Sequence, residues 1–356
     1  MKNYYKSQIL AICLLFNLAG SNNSVYGAEP AATKAPASKA PPASAKSAAA
    51  SKSKTHIIPG NESAPKKENP IPAFSLGEYS SFKPSGDISR FAGEKLFIDI
   101  SFLWFENAAK ANVALYKNKD GSYYSILEAE TLGFVGFFTS YRKHVYRAEH
   151  EAIDGGKRLR TTRFIREVTI ADEVERTVNT MDYNKRVHKW YKFFNDRLFS
   201  KGSREIPPNV QFDGILSAFY NFRNGVYGPF KEGADYKIHT IPEKNIAQFD
   251  VRVLSSDEEN KLRQVEERPP ADTHVLRVKI PPEIFKTANG ELVFWSSKHL
   301  IPIETIVEDY VLLGDLHAKL NRREMSSPVV EGPELKISEN PSSKRNPEAN
   351  SMPHKP

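Results

Sequence analysis

The sequence predicts a mainly β fold: a curved antiparallel sheet or half-open β-barrel with one packed α-helix, flanked by disordered N- and C-terminal segments. Three observations carry this. Between Gly93 and Asn321 apolar and polar residues alternate with a period of two and are rich in aromatic and β-branched types. Turn-forming residues punctuate the runs, as in a meander of consecutive antiparallel strands. A single stretch, Phe212 to Arg223, has apolar residues at helical spacing.

The elements follow in order. Glu94 to Phe105 is the first strand, with Leu96, Ile98, Ile100, Phe102 and Trp104 on one face and Asp99 on the other. Asn112 to Tyr116 is the second, and Lys119-Asp120-Gly121 turns the chain into Ser122 to Glu130. The apolar segment Gly133 to Phe138 follows, read as a short buried helix turn or a flexible lip over an apolar cavity between the sheet and the helix. Further strands are expected at 144–152, 158–170, 174–183 and 187–194, then at 236–241, 247–254, 274–280, 291–295, 301–308 and 310–320. In the helix, Ile215, Leu216, Phe219 and Phe222 share a face, Pro207-Pro208 precede it and Asn224-Gly225 stop it. Asp213 is expected to cap its first turn. A charged second helix is expected at 257–267.

The middle strands depart from the pattern. Arg158 to Arg166 and Lys185 to Lys192 carry charged and apolar residues on both faces. They read as edge strands in solvent. The alternative is a cationic surface for an anionic envelope partner.

The ends are of another kind. Residues 1–27 read as a secretory signal peptide: Lys2 and Lys6, then the apolar run from Ile9 to Leu18, then Val25-Tyr26-Gly27 before Ala28. Residues 28–74 are a spacer of Ala, Pro, Ser and Lys that has little to bury. Residues 75–324 form a single β-rich domain, and 325–356 are a proline-rich disordered tail. Apart from Cys13 in the leader there is no cysteine, which rules out disulfide scaffolds and cysteine zinc sites. The spacer holds seven lysines against three glutamates, whereas residues 75–324 hold 37 basic and 36 acidic residues. The excess positive charge therefore lies outside the domain, opposite to what a nucleic-acid-binding domain needs. No apolar run reaches the roughly 18 residues of a membrane-spanning helix.

The sequence holds no zinc-binding His-Glu-x-x-His, no nucleophile elbow and no glycine-rich phosphate loop. His144 and His150 share a strand face but lie about 20 Å apart, too far to ligate one metal, and read as surface histidines. No catalytic residue, metal or cofactor is expected. The candidate ligand-binding residues are aromatic: Trp104, Phe134, Phe137, Phe138, Phe219, Phe222 and Trp295. Phe219 and Phe222 are expected to pack against Trp104 or Trp295.

Three segments resemble, in order, the bacterial envelope family known as domain of unknown function 3108. They are Gly93-Glu94-Lys95-Leu96 leading into Asp99-Ile100-Ser101, the helix Phe212 to Arg223 with its Asp213, Leu216-Ser217-Ala218 and terminal Arg223, and Leu292 to Ser297 followed by Ile301-Pro302-Ile303. The resemblance implies a secreted or envelope protein of Gram-negative bacteria with a curved antiparallel sheet. It carries over no catalytic residue. The segment from Trp295 to Ile303 is also loosely similar to the final hairpin of periplasmic lipoprotein carriers, a likeness of fold only. The expectation is thus a non-enzymatic protein of the periplasm, or of the periplasmic face of the outer membrane, that binds a lipid-like ligand or another envelope component. The alternatives are a periplasmic scaffold using the basic spacer and a hydrolase acting on polysaccharide.

Overall fold

The computed structural model describes residues 85–243, 246–269, 271–279, 290–308 and 314–326. The expected leader, spacer, tail and the start of the strand placed at 310–320 lie outside the described residues. All the described residues belong to one compact unit.

Among the described residues, fourteen strands form one antiparallel sheet. The first half is β1 (Glu94–Phe102), β2 (Phe105–Lys117), β3 (Tyr123–Thr131), β4 (Lys143–Ile153), β5 (Arg158–Ile170), β6 (Glu173–Asp182), β7 (Val187–Phe194) and β8 (Arg197–Glu205). The second half is β9 (Asp235–Glu243), β10 (Ile246–Val253), β11 (Thr273–Lys279), β12 (Glu291–Ser297), β13 (Pro302–Val307) and β14 (Leu316–Met325). The spatial order is β8 to β1 and then β14 to β9, two meanders joined where β1 pairs β14. The α-helices among the described residues are α1 (Gly133–Phe138), α2 (Ile215–Arg223) and α3 (Ser256–Val265).

The sheet curls around α2. That helix touches β3, β4 and β5 on one side and β9 on the other, strands near opposite ends of the order, which a flat sheet would not allow. The period-two pattern sets the inner face. Leu96, Ile98 and Ile100 lie opposite Val113, Ala111 and Ala109, and Leu127 and Ala129 continue the row on β3. Two buried clusters fill the concavity. One gathers Leu96, Leu115, Tyr146 and Leu159 with Leu216 and Tyr220 of α2. The other gathers Phe102, Ile238, Val253 and Leu276 with Ala218. The outer face is laced with ion pairs such as Arg163–Glu149 and Arg176–Glu167, both 3.8 Å.

The circle does not close by strand pairing. A latch spans it: after β8 the chain crosses to β9, where the Asp213 amide donates to His239 C=O (2.9 Å) and the Ile241 amide to Asp213 C=O (3.3 Å). Tyr183 holds this crossing by exchanging hydrogen bonds with the Phe212 backbone (3.1 and 3.2 Å), and the Arg186 guanidinium donates to the carbonyls of Ile206, Pro207 and Val210.

Several expectations change. The first strand stops at Phe102, and Leu103 and Trp104 form the turn into β2. β8 has no counterpart in the sequence reading. α2 begins at Ile215 with Gly214 at its cap, and no side chain caps it. α3 carries instead a complete capping box between Ser255 and Glu258. His144 and His150 are buried inner-face residues, not surface ones.

Candidate functional site

Two turns at one end of the sheet build a contiguous group of exposed apolar side chains. In the β1–β2 turn Leu103 takes a positive φ of 53°, and Trp104 stands 72% exposed. Beside it lies α1. Its start is set by Gly133 at φ +52°, and its close by Thr139, whose hydroxyl donates to Val135 C=O (2.9 Å) and bonds Thr131 (2.8 Å). The Leu132 amide ties the helix to Ala108 C=O of β2 (2.9 Å). Gly136 is required here: a Cβ would come within 2.9 Å of the Tyr141 ring and 3.0 Å of Thr131 C=O. With Val135 and Gly136 buried, the helix turns Phe134 and Phe137 outward, 60% and 67% exposed. The rings form an unbroken row: Trp104 to Phe105 (5.5 Å), Phe105 stacked on Phe134 (5.9 Å), Phe134 to Phe138 (4.3 Å), Phe138 to Phe137 edge-on (5.4 Å). Leu103 and Tyr141 extend the exposed patch.

Thus four of the seven candidate residues, Trp104, Phe134, Phe137 and Phe138, come together. The other three do not join them. Phe219 packs within α2 on Tyr220 (5.0 Å) and under the Arg223 guanidinium (5.0 Å). Phe222 meets Tyr227, Phe230 and Tyr236. Trp295 lies on the opposite face of the sheet beneath α3, buried with Val293 and Ile306 between the guanidinium groups of Arg263 (4.8 Å) and Arg268 (4.5 Å). The expected contact of Phe219 and Phe222 with Trp104 or Trp295 is therefore corrected: the strand pleat sends Trp295 outward, and Trp104 sits in a turn. One shallow pocket beside α2, lined by Phe222, Tyr227, Phe230 and Tyr236, has essentially no room even for a water molecule. It falls far short of the several hundred Å³ typical of ligand sites.

The interior holds polar groups that the sequence reading did not place. A buried chain runs from Ser125 to His150 (2.7 Å), His150 to Thr161 (3.2 Å) and Thr161 to Ser217 of α2 (2.7 Å). Burial pushes the His150 ring down to about 3. His144, buried beside Arg142 and Arg166, is pushed down to about 2. Both imidazoles are neutral at ordinary pH. A Ser–His pair is the layout of an activated nucleophile, but here both partners are sealed from solvent and serve to seat the helix. Asn221 does the same: its amide accepts from Leu159 N–H (2.8 Å) and donates to Leu159 C=O (2.8 Å), as a strand neighbour would.

Among the described residues three carboxylates are buried, and each is paired with arginine. Glu94 binds Arg223 (2.5 and 3.0 Å) and Arg323 (2.8 Å). Burial pushes its carboxyl up, and the two guanidinium groups more than reverse this. Asp213, expected as a cap, instead meets Arg158 (2.7 Å), the Tyr227 hydroxyl (2.9 Å) and Asn221 (3.0 Å). Burial leaves it above its usual range despite Arg158. Glu304 meets His317 (2.7 Å) and Arg268 (2.7 Å), which overcome burial and hold it at about 2. Among the described residues no group of three or more His, Cys, Asp or Glu side chains is placed to hold a metal, and no helix is long and apolar enough to cross a membrane.

Comparison with known proteins gives one family. The model described as "Protein of unknown function (DUF3108)" matches residues 98–320. Comparison with the curated proteins gives no match. Among solved structures, a crystal structure titled as a beta-barrel-like protein of domain of unknown function DUF1849, from Brucella abortus, aligns over 67% of this chain and 99% of its own, at 9% identity and a TM-score of 0.38.

Proposed function

We propose that this chain, which belongs to the DUF3108 family, is an exported, non-enzymatic cell-envelope protein that engages an amphipathic, lipid-like ligand at the aromatic end of its sheet. The observation that carries this reading is the row of rings from Trp104 to Phe137, three of them more than half exposed. Contiguous exposed apolar surface marks an interaction site. Aromatic rings in projecting turns suit the boundary between water and lipid. Each ring gains about 1.5–3 kcal/mol on leaving water. Three together approach the roughly 8 kcal/mol of a micromolar complex before ordering costs. The ligand is met at the surface, because α2 and its aromatic neighbours fill the interior.

The test is co-sedimentation of the full mature chain with vesicles of phosphatidylethanolamine and phosphatidylglycerol. The triple variant Trp104→Ser, Phe134→Ser, Phe137→Ser should lose most of the binding and keep its melting temperature, since exposed sites cost little when changed. Equal sedimentation of the two proteins, or none of the parent, overturns the reading.

A further inference from the structure

The two ends of the sheet are treated differently. β9 is bridged by Asp213, whereas β8, nine residues long, is paired only with β7 among the described residues. An edge strand presents a row of backbone N–H and C=O groups facing away from its neighbour. Charge is concentrated here too. Residues 185–205, the β7–β8 hairpin, carry seven basic side chains against two acidic ones, net +5, in a domain that is nearly balanced as a whole. Lys189, Arg197 and Lys201 are exposed, and no ion pair is formed by them or by Lys192 among the described residues. The register places Lys201 opposite Tyr191 and Ser200 opposite Lys192, with a bulge that leaves Phe199 without a partner and 63% exposed.

We infer that β8 accepts an extended acidic peptide segment of a partner protein by β-strand addition. The backbone row supplies the pairing, the lysines and Arg197 select carboxylates, and Phe199 offers one apolar contact. A second copy of the chain is disfavoured. Centred antiparallel pairing would set Lys201 against itself and bring two +5 hairpins together. The lysine-rich spacer is repelled in the same way. Lysine on an edge is a common protection against self-association, and the same charges leave this edge open to the opposite sign.

The probe is a labelled nine-residue peptide of alternating Glu and Val, titrated into the full mature chain. Three controls accompany it: the Lys–Val peptide, the Glu–Val peptide N-methylated at every second residue, and phosphatidylglycerol vesicles. Saturable binding of the acidic peptide that weakens with added salt is expected. The triple variant Lys189→Glu, Arg197→Glu, Lys201→Glu should weaken it by about tenfold or more. The N-methylated peptide should fail, and bound peptide should slow hydrogen exchange in β8. Equal binding of the N-methylated peptide overturns strand addition. Absence of acidic-peptide binding, with or without vesicle binding through the same side chains, overturns the peptide partner. These variants lie outside the aromatic patch, so the outcome is independent of the lipid-binding test.

Discussion

At the scale of single residues, the buried charges and neutral histidines govern the response to acid. Glu94 is fully buried between Arg223 and Arg323. Removing one partner of such a group leaves the others buried and uncompensated. Glu94→Gln should therefore lower stability by about 3–5 kcal/mol in urea titrations. His144 and His150 have folded-state values far below the 6.5 of a free imidazole. Below pH 6.5 the unfolded chain takes up protons that the folded chain refuses, so stability falls as pH falls. The loss should be about 1.4 kcal/mol per histidine per pH unit, continuing towards pH 3. Replacing His150 by Gln should flatten part of that slope in thermal melts followed from pH 7 to 4. Glu304 contributes with the same sign in a lower window. Its depressed value means the stabilisation is complete above the ordinary 4.5 and is lost as pH falls towards 2.

At the scale of elements, α2 is the hub, and its polar side matters as much as its rings. Asn221→Ala strands both backbone groups of Leu159 and one lone pair of Asp213, each costing about 1–3 kcal/mol when buried and unpaired. Asn221→Ala should thus destabilise the domain as much as Phe222→Ala or Phe219→Ala, which truncate partly buried rings and should cost about 2–4 kcal/mol. Melting temperatures of the three variants, compared side by side, check this. The sequence made the rings legible and left the asparagine silent. Helical spacing marks Leu216, Phe219 and Phe222 whatever they touch, whereas a side chain that mimics a strand neighbour is visible only once β5 lies beside the helix. The same reason explains Asp213. A carboxylate two residues ahead of a helix looks like a cap, and only the fold shows Arg158 beneath it. Turn residues such as Asp154-Gly155-Gly156 and Asn184-Lys185 marked the starts of β5 and β7, where the period-two alternation is already imperfect. That alternation failed at β8, where burial merely alternates between exposed and half-buried and the side chains bear no apolar face. Of the aromatic site, the Gly133 to Phe138 segment was recognisable as a short helix turn, although its Phe134 and Phe137 are exposed and not buried. Its junction with Trp104 depended on the pairing of β2 with β3, which one-dimensional spacing does not contain.

At the scale of the whole molecule, the sheet is protected at its middle and open at one end. β1 is hydrogen-bonded on both sides, to β2 and β14, and its inner face is covered by the two main clusters. Among the described residues β8 has one neighbour, β7, and it carries a face of charges. Local opening follows this contrast. Backbone amides of β8 should exchange with solvent orders of magnitude faster than those of β1, as read by mass spectrometry of the free chain. Comparable protection in both strands would mean that the edge is covered by something else.

The pairing of β1 with β14 has a temporal meaning as well. Glu94 lies opposite Met325 and Phe102 opposite Leu316, so among the described residues the first strand to leave the ribosome is completed by the last. The connection closes one of the longest loops in the chain, and such closures are slow. A polypeptide delivered N-terminus first can zip β1 through β8 into a half-sheet, but the concavity around α2 lacks its far wall until β9 to β14 have arrived. Closure of the whole sheet around α2 therefore waits for the strand that is made last.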